Sequence, residues 1–330
     1  MNTFGRLFRV NIFGESHGKC VGALIDGCPA GLELSIEDFA ADLERRKSGR
    51  PGTTARREED IPSIMSGLLN SRTTGAPILI LLDNKDTDSE AYGKIRMTPR
   101  PGHADFVAFQ KFGGLNDYRG GGTFSGRLTA ALVAAGVVAK KLLSPMSMEA
   151  QLLEAGGSTE IGSEIERAIQ MGDSIGGMVG CKVKGLPVGL GEPFFDSVES
   201  LLSHLIFSIP GIKGIEFGVG FACSRMSGSE YNDEIISVTG ETRTNNAGGI
   251  NGGITNGNDI LFRVAVKPTS SISRAQQTID LETGLQRELI VGGRHDTCIA
   301  LRAPVIVEAA AAVVMADLML VEQKIPRILR

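Results

Sequence analysis

The chain has 330 residues, 42% hydrophobic and 22% charged, a composition that folds rather than stays disordered. Its net charge of −4 argues against a nucleic-acid protein held by bulk positive charge. No window reaches the roughly 18 to 20 uncharged apolar residues of a membrane span, because the longest candidate, Ala303 to Leu320, is broken by Glu308 and Asp317. The N-terminal MNTFGRLFRV lacks an apolar core, so no secretory signal is expected. Five scattered cysteines (Cys20, Cys28, Cys181, Cys223, Cys298) fit neither a disulfide framework nor a zinc site. The expectation is a cytoplasmic protein with reduced thiols, no metal, no membrane and no nucleic acid.

In chain order, residues 35–47 read as a helix, with Ser35 as N-cap and Ile36, Phe39, Ala40 and Leu43 on one apolar face. Residues 76–83 read as a buried strand, and 126–143 as a long helix that is apolar nearly all round. Residues 158–171 and 196–207 are further helices, and 303–323 a second long apolar one. Two buried helices among many short strands predict helices sandwiched between sheets. No Pro/Ser-rich linker or charge block divides the chain, so residues 1–330 are expected to form a single domain. Residues 25–32 (IDGCPAGL) echo residues 183–190 (VKGLPVGL). Shared turn chemistry explains such an echo, and a duplicated β/α core stays open beside it.

Glycine is unusually abundant, 43 residues where about 7% is typical. The glycines cluster at 120–122, 248–257 and 292–293, which implies close approach of a ligand or another segment to the backbone. Three of the four histidines sit in Gly-rich or turn-rich polar loops, namely His17 in FGESHGK, His103 in PRPGHAD and His295 in GGRHDT. An imidazole beside a carboxylate in such a loop suits proton transfer. His204 lies in a helical run and is assigned to structure.

Residues 45–57 (RRKSGRPGTTARR) hold six positive charges and no acid. With Arg96, Arg100, Arg119, Arg127 and Arg294, several beside glycine, they point to a multiply charged anion. DYRGGGTFSGR leads into the 126–143 helix, whose N-terminus suits phosphate. Lys267, Thr269, Ser270 and Ser271 offer a cation and three hydroxyls to a second one. Neither a Walker loop nor a dinucleotide fingerprint occurs. These patterns describe an anion-binding enzyme with histidine acid/base groups and leave the reaction open.

FGESHG (13–18), RPGHAD (100–105), DYRGGGTFSGR (117–127), AGGINGGITNG (247–257), KPTSSI (267–272) and GGRHDTC (292–298) together resemble chorismate synthase, in that family's order and across nearly the whole chain. The resemblance implies an α+β fold of helices between antiparallel sheets and a homotetramer. It implies a phosphate lyase that converts 5-enolpyruvylshikimate 3-phosphate to chorismate and phosphate by 1,4-anti elimination, the last step of the shikimate pathway toward aromatic amino acids. The implied cofactor is reduced FMN, which lends an electron transiently as phosphate leaves and takes the C6 proton at N5.

Carried over residue by residue, His17 matches the general acid near the leaving phosphate, and His103 the group that protonates reduced flavin. Asp296 matches the carboxylate that assists proton removal. Arg46, Arg100, Arg127 and Arg294 match the arginines that clamp substrate, with Arg50 the candidate for a second arginine of its loop. Thr123, Phe124, Ser125, Gly252, Lys267, Pro268, Thr269, Ser270, Ser271 and Arg294 match positions near FMN. NADPH enters only in members that reduce their own flavin, with NADP+ placed at Arg46. The chain departs from the usual Arg-Ser-Ser at Thr123-Phe124-Ser125, and from Arg-Glu-Thr at Arg127-Leu128-Thr129. The rival readings are an FMN-dependent oxidoreductase on a phosphorylated or carboxylated metabolite, and a non-catalytic binder that retains the fold.

Overall fold

The computed structural model describes residues 2–293 and 295–329. The first half builds β1 (Thr3–Phe4), β2 (Arg9–Gly14), β3 (Cys20–Asp26), α1 (Ala40–Arg46), β4 (Ser63–Ile64), the short hairpin of β5 (Leu68–Leu69) and β6 (Arg72–Thr73), β7 (Ile78–Asp83), α2 (Glu90–Lys94), α3 (Asp105–Phe112) and α4 (Thr129–Leu143). The second half builds β8 (Ser147–Ala155), α5 (Ile161–Gln170), β9 (Gly177–Lys184), α6 (Val198–Ser208), β10 (Ile212–Phe217), α7 (Gly228–Tyr231), the hairpin of β11 (Ile250–Asn251) and β12 (Ile254–Thr255), β13 (Ile260–Val266), the ribbon of β14 (Gln276–Ile279) and β15 (Gln286–Leu289), and α8 (Ala303–Val321).

Two antiparallel sheets, ordered β1-β2-β3-β7-β4 and β10-β13-β9-β8, enclose α4 and α8. Strands facing a helix layer on one side alternate in burial, as in β13, where Ile260, Phe262, Val264 and Val266 point inward. Helix α4 packs on β3 and β7, α8 packs on β8 and β9, and the two helices pack on each other. Their axes approach at Gly136, where an added Cβ would lie 2.3 Å from the Cβ of Ala309. One contiguous buried cluster runs through both sheets and both helices. The α+β sandwich expected from the sequence is the fold observed.

Helix α8 is the second long apolar helix expected at 303–323. By length and composition the run Ile299–Val321, with mean hydropathy 2.1, would suffice to cross a membrane, but here it is a core helix, 89% buried. Its two acids are satisfied inside. Asp317 accepts the backbone N–H groups of Arg6, Leu7 and Phe8 at 2.7 to 3.0 Å, and Glu308 accepts Arg45, Lys140 and the N–H of Ala150.

The two halves repeat one order of elements. Strands β2, β3, β4 and β7 correspond to β8, β9, β10 and β13, the hairpin β5/β6 to β11/β12, and helices α1 and α4 to α6 and α8. The sequence echo marks the same place in each half. Thr73 Oγ1 donates to Pro29 O at 2.6 Å and accepts Leu32 N–H at 2.9 Å, and Thr255 Oγ1 donates to Pro187 O at 2.7 Å and accepts Leu190 N–H at 2.9 Å. The backbone repeats too: Gly31 N donates to Thr73 O as Gly189 N donates to Thr255 O. The duplication left open by sequence is therefore present in the architecture.

The predicted helices all form, with shifted ends. Residues 35–47 open as a 3-10 turn (Ile36–Phe39) before α1, with Asp38 accepting the Ser35 N–H at 2.7 Å. Of the expected apolar face, Phe39 and Leu43 are buried, while Ile36 and Ala40 are exposed.

Candidate active site

Both long helices begin at the same cavity, of about 620 Å3. A 3-10 turn carrying Arg127 (Gly126–Leu128) precedes α4, and a 3-10 turn carrying Arg302 (Ile299–Arg302) precedes α8. Thr129, Ala303 and both arginines line the cavity. Two helix N-termini aimed at one space favour a bound anion. Side chains add to this, since the described lining holds eight arginines and lysines against four carboxylates.

Asp60 organises the cations. Its carboxylate is buried, with a φ of +50°, and it takes Arg46 on one oxygen at 2.8 Å and Arg127 on the other. Burial alone would raise the Asp60 carboxyl, but the two guanidiniums hold it below the usual carboxylate range. Arg127 also reaches Asn84 Oδ1 (2.8 Å) and Asp83 O (3.1 Å). Arg46 is brought down to about 10 by burial and by neighbouring Arg302. Its Nε is buried with no hydrogen-bond partner among the described residues. Arg302 Nε donates to Arg46 O at 2.8 Å, and its Nη1 lies 3.4 Å from Asp296, which accepts Thr54 N–H at 3.0 Å.

Two histidines stand beside the glycine run. His17 Nδ1 lies 2.7 Å from Ser89 Oγ, and its ring meets Tyr92 edge-on at 5.3 Å. Burial lowers its pKa below 6.5, and Arg56 and Arg119 lower it further. His103 Nδ1 lies 2.6 Å from Asp105 Oδ1. Gly120 (φ +58°) lies against the His17 ring and Gly121 (φ +82°) beside the His103 ring, and a Cβ on Gly120 would fall 2.5 Å from His17 Nε2. One on Gly121 would fall 3.4 Å from His103 Nε2. Bare backbone at Gly120 thus makes room for His17 Nε2, while at Gly121 it is the positive φ that favours glycine. His295 also lines the cavity, with Nε2 3.0 Å from Gly292 O, and burial lowers its pKa.

At the other end, Lys267 Nζ donates to Ser270 Oγ at 2.6 Å, and burial together with Lys213 lowers its pKa. Thr269 Oγ1 is buried without a partner among the described residues. The same cavity-lining loop thus carries a cation and an unpartnered hydroxyl, a donor set suited to an anion.

The chorismate synthase family model matches residues 8–320. A chorismate synthase of Chitinophaga pinensis is 60% identical over the full length of both chains, and one of Dehalococcoides mccartyi is 46% identical over all of this chain and 99% of its own. The chain belongs to the chorismate synthase family. It is thereby a carbon–oxygen lyase of the shikimate pathway. A crystal structure of a chorismate synthase superposes with a TM-score of 0.75 at 27% identity, covering 96% of this chain and 93% of that one.

Of the residues that the resemblance to chorismate synthase singled out, the cavity collects His17, His103, Asp296, Arg46, Arg100, Arg127, Thr123, Phe124, Ser125, Lys267, Thr269, Ser270 and Ser271. Pro268 is not part of the described lining. Gly252 lies in the β11/β12 turn, away from the cavity, with open space where a Cβ would stand. Arg50 also lies off the lining, exposed, its guanidinium donating to Arg45 O at 3.3 Å. Arg294 lies outside the described residues. His204 lies off the lining, exposed on α6, with its ring edge-on to Phe4 at 5.4 Å.

Sequence reasoning missed Asp60, Arg302 and Ser16, and did not separate Arg56 from its basic run. Arg56 lines the cavity, donates to Ser16 Oγ (2.8 Å) and Ser16 O (3.0 Å), and is held by Glu58 at 2.6 Å. The usable signal for Arg56 was the run itself, in which it is the arginine that follows the Gly-Thr-Thr turn.

Proposed function

We propose that this cavity converts 5-enolpyruvylshikimate 3-phosphate to chorismate and phosphate by 1,4-anti elimination, with reduced FMN. The observation that carries the reading is two histidine Nε2 atoms, each beside one run of glycines, in a cavity whose described lining holds twice as many cations as carboxylates. A substrate with one phosphate and two carboxylates, about −4, suits that surplus. Arg46, Arg127, Arg56 and Arg302 bind and orient the anionic groups. His17 is neutral in the ligand-free cavity near pH 7, because burial and Arg56 depress its pKa. A polyanion alongside raises that pKa again, so His17 carries a proton to the departing phosphate. His103 holds a proton at Nδ1 against Asp105 and presents Nε2 to the cavity. Asp296, fixed by Thr54 N–H and facing Arg302, assists proton removal.

The residues present fit FMN. The orphaned Thr269 hydroxyl, Lys267 and Ser270 suit its phosphate, and Phe124, with Ile299 and Ile306, adds apolar wall. Reduced FMN, when bound, supplies electron density to the allylic system and a basic site for the C6 proton. No dinucleotide fingerprint occurs, so an external reductant is expected, and NADPH only if the chain reduces its own flavin.

The chain is read as one domain, since the cavity draws on both halves, and as a cytoplasmic homotetramer. The assembly is supported by the nearly fully exposed Phe194, Phe195 and Phe221, which a partner would cover. Sedimentation at working concentration tests it, and a purely monomeric species would count against it. The activity is tested by anaerobic turnover with chemically reduced FMN, following chorismate absorbance and phosphate release. Equal yields with flavin still reduced are expected. Flavin oxidised once per turnover would favour the oxidoreductase, and binding without product the inactive binder.

A further inference from the structure

Arg100 lines the cavity, and three of its five guanidinium N–H groups are already committed within the protein. Nε donates to Asp105 Oδ2 (2.7 Å), Nη2 to Asp105 Oδ1 (2.8 Å) and Nη1 to Ser271 Oγ (3.0 Å). The Arg100 backbone N–H adds a further bond to Asp105 Oδ2 at 3.1 Å. Asp105, the first residue of α3, therefore cannot swing away, and its Oδ1 also receives His103 Nδ1 at 2.6 Å. Arg100 Nη2 lies 3.1 Å from the same Nδ1. Two donors converging on one carboxylate oxygen account for that approach. An unprotonated Nδ1 would instead aim its lone pair at a carboxylate oxygen 2.6 Å away, which is repulsive.

We propose that Asp105 and Arg100 are positioning residues, which lock His103 with its proton on Nδ1 and its Nε2 bare toward the cavity. The role given to His103 under the proposed function is what makes the lock consequential for turnover. A fixed carboxylate behind an imidazole sets its tautomer and orientation, and both decide whether the outer nitrogen can exchange a proton. The third contact of Arg100, to Ser271, joins the lock to the loop of Lys267 and Thr269, so that loop and His103 are held in one register.

The test uses the full chain in two measurements. In the ligand-free protein, 15N-histidine NMR near pH 8 reads the tautomer of His103, assigned by the signal that His103→Ala removes. Protonation on Nδ1 is expected. In Asp105→Ala the nearest group left to Nδ1 is the Arg100 donor, so the proton is expected to move to Nε2. In anaerobic turnover, Asp105→Ala should lower kcat by about 10²- to 10⁴-fold with KM within about 3-fold. Arg100→Lys, which loses the two-pronged grip, should lower kcat by about 10-fold with KM unchanged.

An unmoved tautomer in Asp105→Ala overturns the lock. Arg100→Lys with KM raised 10-fold and kcat intact removes Arg100 from the lock and leaves it a substrate contact alone. If His103→Ala turns over normally, the catalytic reading of His103 fails, while the tautomer measurement still decides the lock. If Asp105→Ala does not fold, Asp105→Asn carries both measurements: a fall in kcat at constant KM supports the lock, and unchanged kcat and tautomer overturn it.

Discussion

Gly120 is the residue on which the placing of His17 depends most directly. It combines a φ of +58° with a space in which a Cβ would meet His17 Nε2 at 2.5 Å and Ser16 Oγ at 2.7 Å. Gly120→Ala should therefore push the imidazole aside and lower kcat by about 10²-fold, a typical cost for misplacing an acid/base group. Steady-state kinetics check this, with FMN affinity as the control that the rest of the cavity is intact. His17 itself should report ligand charge. Its pKa lies below 6.5 in the free protein, so binding of a polyanion at pH 7 to 7.5 should take up a proton. Calorimetry in buffers of different ionisation enthalpy measures that uptake, and His17→Ala should remove it. The same depression makes stability fall as pH drops through 6.5, because the unfolded chain then binds the proton more readily. At this scale the histidines and most cavity arginines were legible, because rare residue types in glycine loops stand out. Asp60 was not, since an aspartate in a loop gains its meaning only from Arg46 and Arg127, brought to it from α1 and from the turn before α4.

Among the elements, α8 shows how an apolar helix carries charge through a core. Glu308, buried near its first turns, gathers Arg45 from α1, Lys140 from α4 and the N–H of Ala150 from β8. Burial would raise its carboxyl, but those partners hold it below 4.5. Glu308→Ala should cost about 1–3 kcal/mol, less than the 3–5 of a fully buried pair, because the half-exposed Arg45 can turn to water. A group with a depressed pKa contributes stability above its unfolded value and loses it as pH falls, so Glu308→Gln should flatten the acid limb below about pH 4.5. Urea unfolding at pH 7 and pH 4 checks both. The long helices were visible in sequence because sustained apolar runs admit few alternatives. The 3-10 turns that begin α4 and α8 were not, because a tightened first turn leaves little trace in hydrophobic periodicity.

In the whole molecule, the repeated Gly-x-Pro-x-Gly-Leu turn ties each sheet to its own hairpin, and the tie is a threonine absent from the turn's own sequence. The echo between residues 25–32 and 183–190 was visible, but it matched at only four positions, and the threonines that make it a structural repeat stand 41 and 65 residues from the leucines they receive. No local reading reaches that far. Thr73 and Thr255 are both buried, and each hydroxyl serves one carbonyl and one N–H. Replacing either by valine keeps the shape and strands both backbone groups, at a cost of about 1–3 kcal/mol. The two sites share no hydrogen-bond partner and lie in different halves, so the double variant should lose the sum to within about 0.5 kcal/mol. Neither threonine lines the cavity, so kcat should stay at the parent value while the urea midpoint falls. If only one of the pair were destabilising, the repeat would be a shared shape without shared energetics, and the second hairpin would have to be held by its other contacts.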